Sequence, residues 1–192
     1  MENKFFTFIR PYLALIDTEE GIVKANDWLH VIMAMANLFF PIYIFYQGLE
    51  FHIFQLDARP VSFFLLLWLL IVFISWVSFQ LWMDRRAKIK AYIEENEGFT
   101  STAIYAHLIR TMGEWLGTWI GFIGFVGPLL VATVFSAEAE IFTMLLDESL
   151  VPMGVLSALL MPIVGFLLIL TTRYLAEFIN LFPALVRNTR KG

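Results

Sequence analysis

Apolar side chains gather into four long runs, at residues 28–46, 61–83, 112–135 and 151–175. The first two hold no charged side chain, the third holds only Glu114 near its start, and the fourth only Arg173 near its end. A bilayer core about 30 Å thick takes roughly 20 residues of helix to cross, and each run offers that length. Open backbone has no hydrogen-bond partner in lipid, so each run is predicted as a helix. The alternating polarity of barrel strands does not occur in them.

Helix punctuation marks the edges of the runs. Asn26 and Asp27 stand before Trp28 as N-cap candidates. Pro60 and Pro152 sit at the entries to the second and fourth runs, where a missing N–H costs nothing. Trp28, Trp82 and Trp115 fall near the interfaces, where an amphipathic indole is favoured. Pro41 and Pro162 are predicted to bend the first and fourth spans.

The segments between the runs carry patterns of their own. In residues 1–27, Phe5, Phe6, Phe8, Ile9, Tyr12, Leu13 and Ile16 alternate with Lys4, Arg10 and Asp17. This pattern predicts an amphipathic interfacial segment, broken near Pro11, that lies on the membrane or docks a partner. It does not read as a secretory signal, having Glu2, no clean apolar core before Arg10 and no small-residue cleavage site. Residues 84–97 are good helix formers followed by Gly98, and Thr100, Ser101 and Thr102 offer caps for a new helix leading into the third run. The second span with its extension would be about 37 residues, or roughly 55 Å. Residues 84–111 are therefore predicted as a helical hairpin beyond the membrane, with Glu94, Glu95 and Glu97 at its tip. Ile141, Phe142, Met144, Leu145 and Leu146 between acidic flanks predict a short interfacial helix in the third loop.

Charge sets the orientation. Lys4, Arg10 and Lys24 precede the first run, and Arg85, Arg86, Lys88, Lys90 and Arg110 lie between the second and third. Arg173, Arg187, Arg190 and Lys191 close the chain, while Arg59 alone falls on the opposite side. Twelve of the 13 basic residues thus share one side, which the positive-inside rule makes cytoplasmic, with both termini there. Composition agrees with a membrane protein: 59% of residues are hydrophobic, 16% are charged and the mean hydropathy is +0.74. That excludes an ordinary soluble domain, which carries about 25% charged residues. The chain has no cysteine, so thiolate chemistry and Cys-ligated metal sites are excluded. The inner face has no basic stripe of the kind that binds nucleic acid. The fold class is all-α: a polytopic four-transmembrane-helix bundle in residues 28–192 behind the amphipathic segment 1–27.

Residues that could carry chemistry are few. Gly113, Gly117, Gly121 and Gly124 recur in the third run, with Gly127 beyond. Glycines four apart share a helix face and admit another backbone, either within the chain or in a neighbouring copy. Arg110 and Glu114 are four apart, as are Arg173 and Glu177. Each pair can meet on its own helix near the inner boundary, as an interface ion pair or as a relay for protons or ions. His30 and His107 fall on that same side and are the candidates for a bis-histidine haem, whereas His52 is on the other side. The 20 Phe, 6 Trp and 6 Tyr could line a quinone or pigment site, but such rings more commonly pack helices and face lipid. Asn37, Ser75, Ser78 and Thr118 are among the scattered polar residues inside the spans, and they form no nucleophile–base pair or phosphate-cradling loop.

The end of the chain, R-Y-L-A-E-F-I-N-L-F-P-A-L-V-R-N-T-R, resembles a family of small bacterial membrane proteins of unknown function. Those proteins close with an apolar helix, R-x-x-x-E, further apolar residues and an Asn, matched here by Arg173, Glu177 and Asn188. The resemblance covers the last third of the chain, where Pro183 interrupts the pattern. It implies a bacterial inner-membrane protein and brings no activity with it.

Together these readings favour a non-enzymatic protein that needs no cofactor. It would be a structural, assembly or accessory subunit of a larger inner-membrane complex, touching lipid and other subunits or copies of itself. A homo-oligomeric channel or transporter with Glu114 near its path is the alternative, and a haem- or quinone-associated electron-transfer subunit a third. The topology is open to direct test because the chain lacks cysteine. A single Lys90→Cys thiol is expected to react with a membrane-impermeant maleimide only from the cytoplasmic side, and an Asp57→Cys thiol only from outside. The reverse pattern would refute the orientation.

Overall fold

The computed structural model describes residues 18–95, 99–134 and 155–189. The amphipathic segment up to Asp17, the hairpin-tip residues Glu97 and Gly98, the third loop and Pro152 lie outside the described residues. Four helices account for nearly all of the rest: α1, Glu19–Glu50; α2, Ala58–Glu95; α3, Thr100–Thr133; and α4, Val155–Thr189. Each is long and apolar enough to cross a membrane, and the described residues form no strand, which fits an all-α membrane protein.

α1 starts well before the predicted caps. Thr18 holds the N-cap position, its hydroxyl accepting from the Gly21 N–H at 3.1 Å, and Glu19 and Glu20 place negative charge in the first turn. Asn26 and Asp27 are therefore interior residues. Asp27 serves as a tertiary partner, taking both Nε and Nη2 of Arg86 on α2 at 2.6 and 2.7 Å. The α1–α2 corner needs one left-handed residue, His52 at φ 54°, and a single 3-10 turn over Ile53–Gln55. α2 runs unbroken past the apolar stretch, and α3 begins at Thr100, so the long extension read from the sequence is helical. Pro41, Pro128, Pro162 and Pro183 all lie within continuous helix. At the level of Pro41, the Trp68 indole donates to the Pro41 carbonyl at 2.9 Å and joins α2 to α1.

α1, α2 and α3 share one core. Ile44, Phe63, Phe64, Leu67, Ile71, Ile74 and Ile123 fill it, with Phe45, Trp68, Trp119 and Phe122 packed around them. α4 lies along α3, the most extensive helix pair in the fold, and reaches α2 through Asn180, which donates to the Tyr92 hydroxyl. The glycines of α3 create the α3–α4 seam. A Cβ at Gly113 would overlap Thr172, one at Gly117 would meet the Gly165 carbonyl oxygen and Ile169, and one at Gly124 would press on Met161. Gly165 of α4 returns the contact, since its own Cβ would strike the α3 backbone at Gly117 and Gly121. The two backbones approach this closely only because side chains are missing where they cross.

Gly121 is the exception, because an added Cβ would sit 3.7 Å from the Pro162 Cα, an ordinary contact. Gly117→Ala is therefore expected to destabilise the protein by about 1–3 kcal/mol through overpacking against backbone. Gly121→Ala is expected to be neutral or to stabilise by up to about 1 kcal/mol through helix propensity. Denaturant unfolding in detergent reads both, and equal losses at the two positions would contradict a seam centred on Gly117.

Candidate functional site: an arginine cage around Glu114

Three helices bring their chemistry to one point where the apolar runs end on the hairpin side. α3 contributes Glu114 and, one turn earlier, Arg110; α2 contributes Arg85; and α4 contributes Arg173. Glu114 is buried, at 5% exposure. Its Oε2 takes Arg85 Nη2 at 2.6 Å. Its Oε1 takes Arg173 Nη2 at 2.9 Å, Arg173 Nε at 3.2 Å and Arg110 Nε at 3.2 Å. Both carboxylate oxygens are thus bound by guanidinium groups. One anion faces three cations, so the cluster carries a surplus of positive charge at the edge of a low-dielectric layer.

The surroundings hold this cluster in register. His107 of α3 donates from Nε2 to the Arg85 carbonyl at 3.0 Å, since a carbonyl only accepts, and this fixes α2 against α3 beside the cage. Thr111 and Thr118 bond back to the carbonyls of His107 and Glu114 at 2.8 and 2.6 Å, which satisfies their hydroxyls within α3. Arg86, next to Arg85, is engaged by Asp27, so the two adjacent arginines tie α2 to different helices.

The pairing differs from the one read along the sequence. Arg110 does meet Glu114 on its own helix. Arg173 turns across to Glu114, and Glu177 is exposed on α4. The spacing rule sees neighbours on one helix only, whereas the seam brings Arg173 within reach of a carboxylate that is already buried. Arg85 did not emerge as a site residue from the sequence. The available signal was its position, directly after an apolar run and level with the two arginines that did.

The histidines fall into the core behind the cage. The rings of His30 and His107 stand 5.9 Å apart between centroids. His30 Nδ1 donates to the Asn26 carbonyl at 2.8 Å, and Trp82 packs edge-on to its ring at 5.2 Å. Tyr92 lies against His107 at 5.3 Å. Each histidine spends one ring nitrogen on backbone, and aromatic rings fill the space beside the pair. His52 lies apart, at the α1–α2 corner.

Two further features lie in the bilayer zone. An apolar cleft of about 370 Å³ opens between α1 and α3, lined by Met33, Asn37, Phe40, Trp115 and Trp119 among others. Its polar residue, Asn37, accepts from Trp115 Nε1 at 3.0 Å and donates to the Met33 carbonyl at 2.7 Å. Trp119 donates to the Ser78 hydroxyl at 2.8 Å. The indoles therefore join α3 to α1 and to α2. All four glycines read from the sequence, Gly113, Gly117, Gly121 and Gly124, meet α4 of the same chain.

No family model, curated protein or solved structure matches this chain.

Removing the central anion should uncouple three helices at once. Glu114→Gln leaves three guanidinium groups converging without a counter-charge and is expected to cost on the order of 2 kcal/mol, below the full value for a buried pair because Arg110 and Arg173 are partly solvated. Glu177→Gln, at an exposed position, is expected to change stability by less than about 0.5 kcal/mol. Unfolding in detergent, measured side by side, separates the two.

Proposed function

We propose that this chain is a non-enzymatic integral membrane protein of the bacterial inner membrane, with both termini cytoplasmic, acting as a structural, assembly or accessory subunit of a larger complex. The observation that carries this reading is the position of α4. It packs on α3 and leaves Leu159, Ile163, Phe166, Leu170, Tyr174 and Phe178 exposed along its outer side. The glycine seam of α3 is consumed within the chain, so further helix association would use this outer side of α4 or the exposed side of α1, which carries Ile32, Phe39 and Tyr43. Both surfaces suit lipid and neighbouring helices alike.

The polar groups support a scaffold as well. Asn37, Ser78, Glu114, Trp115 and Trp119 each bond to a side chain on another helix. For the channel alternative Glu114 would have to offer its charge to a passing ion, and here both its oxygens are bound by arginine. For the electron-transfer alternative a haem would have to fit beside the two histidines, and that space is taken by Trp82, packed against His30, and by Tyr92, packed against His107.

Gentle extraction from native membranes tests the proposal. The particle is expected to contain other membrane proteins at fixed stoichiometry with this chain. A discrete particle made of this chain alone would overturn the accessory-subunit reading and favour the homo-oligomeric one, to be followed by flux assays on Glu114 variants.

A further inference from the structure

The charge balance of the cage is uneven, and so is its exposure. Glu114 keeps 6% of its side chain exposed, whereas Arg110 keeps 37% and Arg173 keeps 45%. The anion is inside, and two cations face outward. Arg85 is the inner member, at 17%, and its buried Nε–H has no acceptor. Among the described residues the nearby charges do not cancel the surplus: Asp27 is bound by Arg86, Asp84 by Lys88, and Glu177 lies one turn further along α4. Counting even the exposed Glu177, positive charge remains in excess.

The depth of these groups narrows the ligand. Arg85 and Arg110 lie two residues outside their apolar runs, while Arg173 and Glu114 lie just inside theirs. In a bilayer that level is the headgroup layer, where phosphodiester groups are dense and acyl chains would run along the exposed apolar side of α4. Guanidinium forks match phosphate oxygens in geometry and bind them with charge-assisted hydrogen bonds.

We propose that the outward edges of Arg110 and Arg173, backed by Arg85 and Glu114, form a binding site for the phosphate of an anionic phospholipid headgroup. The inference rests on the chain crossing a bilayer and is independent of which complex it joins. A zwitterionic lipid carries the same phosphate but brings its own cation, which meets the same positive surplus unfavourably. The site therefore selects by net charge. Glu114 fixes the three guanidinium groups in place and leaves part of their charge for the lipid.

Native mass spectrometry of the purified full chain, titrated with phosphatidylglycerol or phosphatidylcholine, tests this. Wild type is expected to retain phosphatidylglycerol several-fold more strongly. Arg110→Gln removes the cation with the weakest hold on Glu114, leaving Arg85 and Arg173 to balance it. It is expected to lower phosphatidylglycerol binding about fivefold, the effect of one surface cation, with phosphatidylcholine binding unchanged. Lys90→Gln, an exposed cation on the same side, is expected to leave both unchanged. Equal retention of the two lipids by wild type overturns the site without recourse to any variant, as does equal loss in the two variants. Millimolar inorganic phosphate is expected not to displace the lipid; displacement would show a free-anion site and overturn the lipid assignment.

Discussion

Glu114 is buried at the edge of the apolar runs, so the bonding capacity of its carboxylate has to be met by other side chains. Arg110 is available from its own helix, but the other two come from α2 and α4. Satisfying one side chain therefore fixes the relative height of three helices. The bidentate Arg86–Asp27 pair extends the constraint to α1. All four helices are referred to one another at the hairpin end, and the interactions deeper in the bilayer operate from that reference.

Those deeper interactions are of two kinds. Between α3 and α4 the contact is backbone against backbone, made by the absence of side chains at Gly113, Gly117, Gly124 and Gly165. Between α3 and the other two helices it is made by large rings. Trp115 reaches Asn37 of α1 and Trp119 reaches Ser78 of α2, and Trp68 joins α2 to α1 in the same way at the Pro41 carbonyl. Indole suits this task because it combines a wide apolar body with a single donor, which needs one acceptor in a dry environment. One side of α3 is thus smooth and the other is toothed, and the same helix serves both partners.

Local physics made much of this legible in the sequence. The apolar runs marked the spans, helix formers after residue 83 announced the extension of α2, and the four-residue glycine spacing exposed a packing face. What escaped was tertiary. Asn26 and Asp27 read as caps because the residue types suit caps, yet Thr18 with Glu19 and Glu20 offered an earlier start, and Asp27 had a partner 59 residues away. Glu177 read as the partner of Arg173 because the spacing allowed it. Glu114 won because a buried carboxylate gains more from a guanidinium than an exposed one does. Arg85 could not be placed from spacing alone, since it meets Glu114 only after α2 and α3 have docked.

The lopsided attachment of α4 has a consequence for the order of assembly. Chains emerge from the ribosome N-terminus first, so α1, α2 and α3 are available while α4 is still being made. These three already share a core, and Arg85 and Arg110 already bracket Glu114. α4 then has a preformed track to follow, a row of glycines on the finished face of α3, with Arg173 closing on a carboxylate that is waiting in position. The last helix to be made thus meets the rest of the protein chiefly along one seam on α3, with Asn180 as its hydrogen bond to α2.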